Sequence, residues 1–275
     1  MPGFLTTKRL KGAATLATVL GAVYAERLRV DRSLGDSSFF TGYVLLGALV
    51  LLALYNTRKR FAAAPLGASR WWMQLHVYTG LGSVAVFLMH TGLCWPDGWL
   101  EGTLAALFAA TAASGVLGLY WTRTLPLKLA RVGEEVIYER IPALRNQVRE
   151  LAEEAVLSTI AATGSTTLAG VYSKHLAAYF EQPREWGYFL WPTNRRRRAL
   201  MADLTEASRF LSDAEQSAGE ELFALVRKRD DLDYHAALQW RLKAWLFVHI
   251  ALTYPLLILA VIHGLVAHAF SGGLP

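Results

Sequence analysis

Cysteine occurs once in the 275 residues, at Cys94. That excludes an intrachain disulfide, a Cys-x-x-Cys-His attachment for a c-type haem and a four-cysteine iron–sulfur site. No Gly-x-Gly-x-x-Gly fingerprint and no P-loop occurs either, so nothing reads as a nicotinamide, flavin or nucleotide domain. Charge is scarce. Asp, Glu, Lys and Arg make up 18% of the chain against 53% hydrophobic residues, and mean hydropathy is +0.27. A water-soluble fold of this size would not bury that much apolar surface.

What is present is clustered. Ser37 to Thr57 runs 21 residues without a charge, Trp71 to Pro96 runs 26, Gly102 to Thr122 runs 21 and Ala244 to Pro275 runs 32. A helix crosses a bilayer core with about 20 predominantly apolar residues, so each run is a spanning candidate. A fifth stretch, Gly12 to Ala25, has only 14 uncharged residues and reads as a short first helix or uncleaved anchor. The expected fold is therefore all-α: an integral membrane helical bundle of about five spans. Its expected parts are residues 1–36 for the anchor, 37–122 for three spans, 123–243 for an insertion and 244–275 for the last span.

Basic residues orient the spans. Lys8, Arg9 and Lys11, then Arg58, Lys59, Arg60 and Arg70, then Arg123, Lys128 and Arg131, and finally Arg241 and Lys243 fall on one side. The other side has Arg27, Arg29 and Arg32, with no basic residue in Trp95 to Glu101 or after Ala244. The N-terminus and the insertion are thus expected in the cytoplasm and the C-terminus in the periplasm, in a bacterial inner membrane. The net charge of +6 and pI near 9.5 follow from such loops, and nucleic acid is not an expected partner.

The insertion, Arg123 to Lys243, holds 121 residues with 18 basic and 17 acidic side chains. That makes it a domain in its own right, and a helical one. Val136, Ile137, Ile141, Leu144, Val148, Leu151 and Ala155 share a helical face, with Pro142 expected to break the stretch in two. A second helical stretch is expected over Arg198 to Arg229.

The chemistry lies in the histidines. His76 and His90 are 14 residues apart, and so are His249 and His263. At 1.5 Å per residue that is about 21 Å, only ~40° short of four full turns, so each pair shares one helix face. An intervening hairpin and a cytoplasmic domain make the two helices parallel, which matches His76 in depth with His249 and His90 with His263. Two stacked bis-imidazole sites suit two low-spin b-type haems, the four histidines being the axial ligands of the iron. Gly80, Gly82, Gly92, Gly115, Gly118 and Gly264 are candidates for admitting a flat macrocycle. Lone membrane histidines also serve proton relays and helix packing, so a transporter or structural protein is the rival class.

The segments HVYTGLGSVAVFLMH and HIALTYPLLILAVIH, each His-x13-His, resemble the di-haem core of cytochrome b and of the ferric reductase and NADPH oxidase membrane domains. The resemblance covers the four uncharged runs and implies a four-helix haem-binding core that carries electrons across the membrane. The Pro-Glu-Trp-Tyr quinol motif of bc-type cytochrome b is absent, as is the fused flavin and nicotinamide module of the reductases. A stand-alone haem subunit of a respiratory or redox assembly is implied. Its partners would carry flavin, iron–sulfur or c-type haem centres, and a quinone-reactive variant is the alternative within this class. Arg195 to Arg198 are candidates to dock an acidic partner or an anionic lipid headgroup, or form a solvated charge run, and the aromatic stretch Trp186 to Pro192 reads as a docking patch or as the core of the insertion. His268 is a candidate partner of a haem propionate or an interfacial polar residue. His175 and His235 are expected to be ordinary residues of the insertion.

Overall fold

The computed structural model describes residues 2–60, 68–132 and 136–271, and every regular element among them is helical. The side chains of Lys8, Arg9, Arg58, Lys59 and Arg60, used above for orientation, lie outside the described residues, as do residues 272–275. The chain divides into two compact units, residues 1–120 with 245–275, and residues 121–244.

The first unit is built from α1 (Pro2–Arg32), α2 (Ser37–Arg60), α3 (Ser69–Thr91), most of α4 (Trp99–Leu129) and the C-terminal part of α10 (Asp213–Ser271). Three helices carry stretches long and apolar enough to cross a membrane, Ser37–Tyr55, Trp99–Leu129 and Glu215–Phe270. They leave large apolar side chains uncovered, among them Leu54, Val116, Phe247, Ile258 and Leu265. Water is a poor solvent for such faces and hydrocarbon a good one.

The first helix is not the 14-residue piece expected. It runs 31 residues and takes Lys11 and Glu26 inside it, because helical backbone continues past the uncharged stretch where no proline or capping glycine stops it. Leu49, Phe108 and Leu256 form the buried centre of this unit, with Phe87 stacked on Phe108 at 4.3 Å. Those four residues come from four different helices. Pro126 and Pro255 lie inside α4 and α10; each withholds one N–H from the helical ladder, a loss that membrane helices tolerate.

The second unit continues with α5 (Ile141–Thr163), α6 (Thr167–Val171), a π-turn at Tyr172–Leu176, α7 (Ala177–Glu181), α8 (Trp186–Leu190) and α9 (Arg195–Ala207), and takes in the start of α10. Ile141, Val148, Ala152 and Val156 meet Leu200, Leu204, Leu222 and Val226 in its core. Three expectations change here. Pro142 does not split a helix; it sits in the first turn of α5, where its missing N–H costs nothing. Leu151 faces solvent although Ile141, Val148 and Ala155 of the expected face are buried, and Ala152 and Val156 are buried beside them. The stretch Arg198 to Arg229 is interrupted by a 3-10 turn, Ser208–Phe210, and restarts at Ser212, whose backbone N–H and hydroxyl donate to Glu215. This is half of a capping box: the glutamate three residues on accepts from the cap N–H, while the serine hydroxyl donates to the same carboxylate.

A buried ionic cluster ties this unit together. Asp233 accepts from Arg184 at 2.7 Å and pairs with Arg145 at 2.5 Å, and Asp230 accepts from Arg184 at 2.7 Å. Burial, with Asp230 nearby, holds the Tyr179 and Tyr188 phenols above their usual range. Removing one partner of such a buried pair strands its mate and costs about 3–5 kcal/mol.

Candidate functional site

The four histidines of the two His-x13-His segments come together as two pairs between α3 and α10. The ring centres of His76 and His249 are 6.4 Å apart, with ring planes crossing at 74°. Those of His90 and His263 are also 6.4 Å apart, with planes crossing at 86°. With metal–nitrogen bonds of about 2 Å, two imidazoles that share one metal have ring centres about 5 to 6.4 Å apart, so each pair has the spacing of rings that could hold one between them. Among the described residues no three His, Cys, Asp or Glu side chains gather as a bare-ion site.

Two hydroxyls bear on which ring nitrogens are available. Thr41 on α2 donates its O–H to the Ser37 carbonyl at 3.0 Å and lies 3.1 Å from His90 Nδ1. With the hydroxyl proton on the Ser37 carbonyl, its oxygen can accept from an Nδ1–H, the tautomer that leaves the Nε2 lone pair of His90 for a metal. Ser114 on α4 repeats the device: it donates to the Thr111 carbonyl at 2.9 Å and lies 2.6 Å from His249 Nδ1. A ring N–H held by a neighbouring oxygen is how proteins orient metal-bound histidine. A glycine follows each hydroxyl. A Cβ on Gly42 would stand 3.2 Å from His90 Cε1, and one on Gly115 would stand 3.6 Å from His249 Cε1.

Beyond these the two pairs differ. Trp245 stacks on His249 at 5.7 Å while its indole N–H donates to the Ser114 carbonyl, and the Tyr55 ring lies 5.0 Å from His76. At the other pair, the Glu101 carboxylate is 3.7 Å from His263 Nδ1. A cavity of about 740 Å³ opens there, lined by Gly42, Tyr43, His90, Glu101, His263 and His268 among others. Cavities of about 300–1,000 Å³ are the size that encloses cofactors and small molecules. His268 sits at this cavity against the Phe39 and Tyr43 rings, with a hydrogen bond to the Tyr43 hydroxyl.

The glycines divide by surroundings. Gly115 borders His249, and Gly264 lines the cavity with open space where a Cβ would go. Gly82 faces Leu16, Gly80 faces Leu52 and Gly118 lies against Trp245, so these three serve helix packing. Gly92, at φ +63, caps α3 in the left-handed region that glycine enters without strain. His175 pairs with Asp203 at 3.5 Å, and the buried His235 hydrogen-bonds the Val132 carbonyl at 2.7 Å. Of the arginine run, Arg196 lies over the Tyr179 ring and Arg197 pairs with Asp230, while Arg195 and Arg198 remain exposed.

Sequence reasoning missed Thr41, Gly42, Glu101 and Ser114. A hydroxyl–glycine dipeptide is the one local signal at Thr41–Gly42 and Ser114–Gly115, and Thr79–Gly80, Thr91–Gly92 and Thr163–Gly164 carry it too; only the fold distinguishes them, and Glu101 has no such signal. No family model, curated protein or solved structure matches this chain.

Proposed function

We propose that this chain is a five-span membrane protein that carries electrons across the bilayer through two b-type haems. The observation that carries the reading is the pair of facing imidazoles, repeated between α3 and α10 at one ring spacing of 6.4 Å. His76 and His249 would hold one haem, His90 and His263 the other. Haem, when bound, supplies reversible one-electron chemistry at its iron.

The residues of this chain do the rest. Thr41 and Ser114 hold Nδ1–H of His90 and His249, presenting Nε2 inward. The stacked Phe87 and Phe108 with Leu49 and Leu256 give the cavity beside His90 and His263 an apolar wall. The exposed Trp71, Trp95 and Trp99 lie at helix ends, as interfacial tryptophans do. On this reading the orientation is the one basic residues favour, with residues 123–243 in the cytoplasm of a bacterium. Lacking any other redox motif, the chain works with subunits that carry flavin, iron–sulfur or c-type haem centres.

The test is a reduced-minus-oxidised spectrum of the purified full chain with quantitation of extracted haem. Two b-type haems per chain is the expected result. A chain that folds and carries no absorbing group overturns the proposal and hands the histidines to proton relay or packing.

A further inference from the structure

We infer that the short helix α8 and the residues just after it form an interfacial anchor, which seats the second unit on the anionic headgroup layer of the bilayer that α10 enters. The inference rests on α10 being a membrane span but not on haem.

The anchor is built from residues that have no reason to face water. Trp186 is 75% exposed, Leu190 63% and Trp191 78%. Two exposed tryptophans and a leucine within six residues are unusual for a solvated surface and characteristic of the headgroup region, where a large amphipathic ring is at home. This group is fastened to one place. The Trp240 ring packs against Trp186 at 5.9 Å and Phe189 at 5.8 Å. Arg241 donates to the Phe189 carbonyl at 3.0 Å and to the Leu190 carbonyl. Lys243 pairs with Glu139 at 2.6 Å and lies over the Tyr138 ring.

Immediately afterwards the charge stops, because Ala244 opens the 32-residue uncharged run. Ala244 follows Arg241 by three positions of α10, about 4.5 Å along the helix, so the patch lies close to where the uncharged run begins. Charge complements the aromatics. Arg196 and Arg197 are occupied inside the unit, but Arg195 and Arg198 are exposed four and seven residues after Trp191. Free guanidinium groups beside an aromatic patch match lipid phosphates.

The experiment uses the full chain with Cys94→Ser, spin-labelled at Leu190→Cys, Leu157→Cys or Ile258→Cys, in nanodiscs of phosphatidylcholine with or without phosphatidylglycerol. Collision with oxygen and with a water-soluble nickel chelate reports depth. The expected result is a label at position 190 several-fold less accessible to nickel than the one at 157. That protection should weaken without phosphatidylglycerol or with Arg195→Ala and Arg198→Ala together. Equal nickel access at 190 and 157, with the 258 label still oxygen-rich, overturns the anchor and leaves the span standing. Nickel access at 258 overturns the spanning reading beneath it. Protection at 190 that requires an added protein overturns the assignment to lipid.

Discussion

The two histidine pairs are alike in the one dimension that ligation demands and unlike in nearly everything else. Both have ring centres 6.4 Å apart, and each has one ring held by a hydroxyl from a neighbouring helix, Thr41 of α2 for His90 and Ser114 of α4 for His249. The His76–His249 pair is enclosed by the neutral rings of Tyr55 and Trp245. The His90–His263 pair opens on a cavity and has the carboxylate of Glu101 within 3.7 Å. The imidazoles come from α3 and α10, while their surroundings come mostly from other helices: Thr41 and Tyr55 from α2, Glu101 and Ser114 from α4, with Trp245 of α10 itself. On the proposed reading, two haems held this way would differ in potential and access.

The largest effects come from the ligands. His90→Ala should halve the haem content and remove the component assigned to the cavity side, and His76→Ala should halve it by removing the other; extraction and quantitation of haem checks both. Next come the hydroxyls. Thr41→Val should weaken haem retention at the cavity-side pair by about 10- to 100-fold and spare the other, with Ser114→Ala doing the reverse, as lost orienting hydrogen bonds do at metal sites. Competition with a haem-binding scavenger measures it. Glu101→Gln should raise the midpoint potential of the cavity-side component alone, since a nearby negative charge favours the oxidised iron; a redox titration resolves the two components. The smallest effect separates the glycines. Gly42→Ala should perturb the spectrum of the cavity-side component, because its Cβ would crowd His90 at 3.2 Å, whereas Gly115→Ala should be nearly silent at 3.6 Å.

Legibility in the sequence followed the range of the interaction. The uncharged runs and the 14-residue spacings are local, so helical periodicity puts each pair on one helix face, and the order of the runs, which makes the two helices parallel, matches His76 with His249 and His90 with His263. Thr41 lies 49 residues from His90, and Ser114 lies 135 from His249; no local pattern encodes such distances. In the second unit the helices are polar on most faces, so the exposure of Leu151 beside the buried Val148, Ala152 and Ala155 is hard to read. The half capping box at Ser212 and Glu215 was a legible local signal that the apolar pattern across Arg198 to Arg229 obscured. Pro142 was read as a breaker because its place in the pattern, and not its fitness for a first turn, was weighed. The exposed aromatic patch at Trp186 acquires meaning only through Trp240 and Arg241, some fifty residues away.

The central claim, two independent sites each shared between α3 and α10, is tested most directly by haem content in double variants. Removing both members of one pair, His76→Ala with His249→Ala or His90→Ala with His263→Ala, should leave one haem, as each single variant does. Removing one member of each pair, His76→Ala with His90→Ala or His76→Ala with His263→Ala, should leave none. If the chain lacking His76 and His263 kept one haem while the chain lacking His76 and His249 kept none, the pairing and the parallel course of the two helices would both be contradicted.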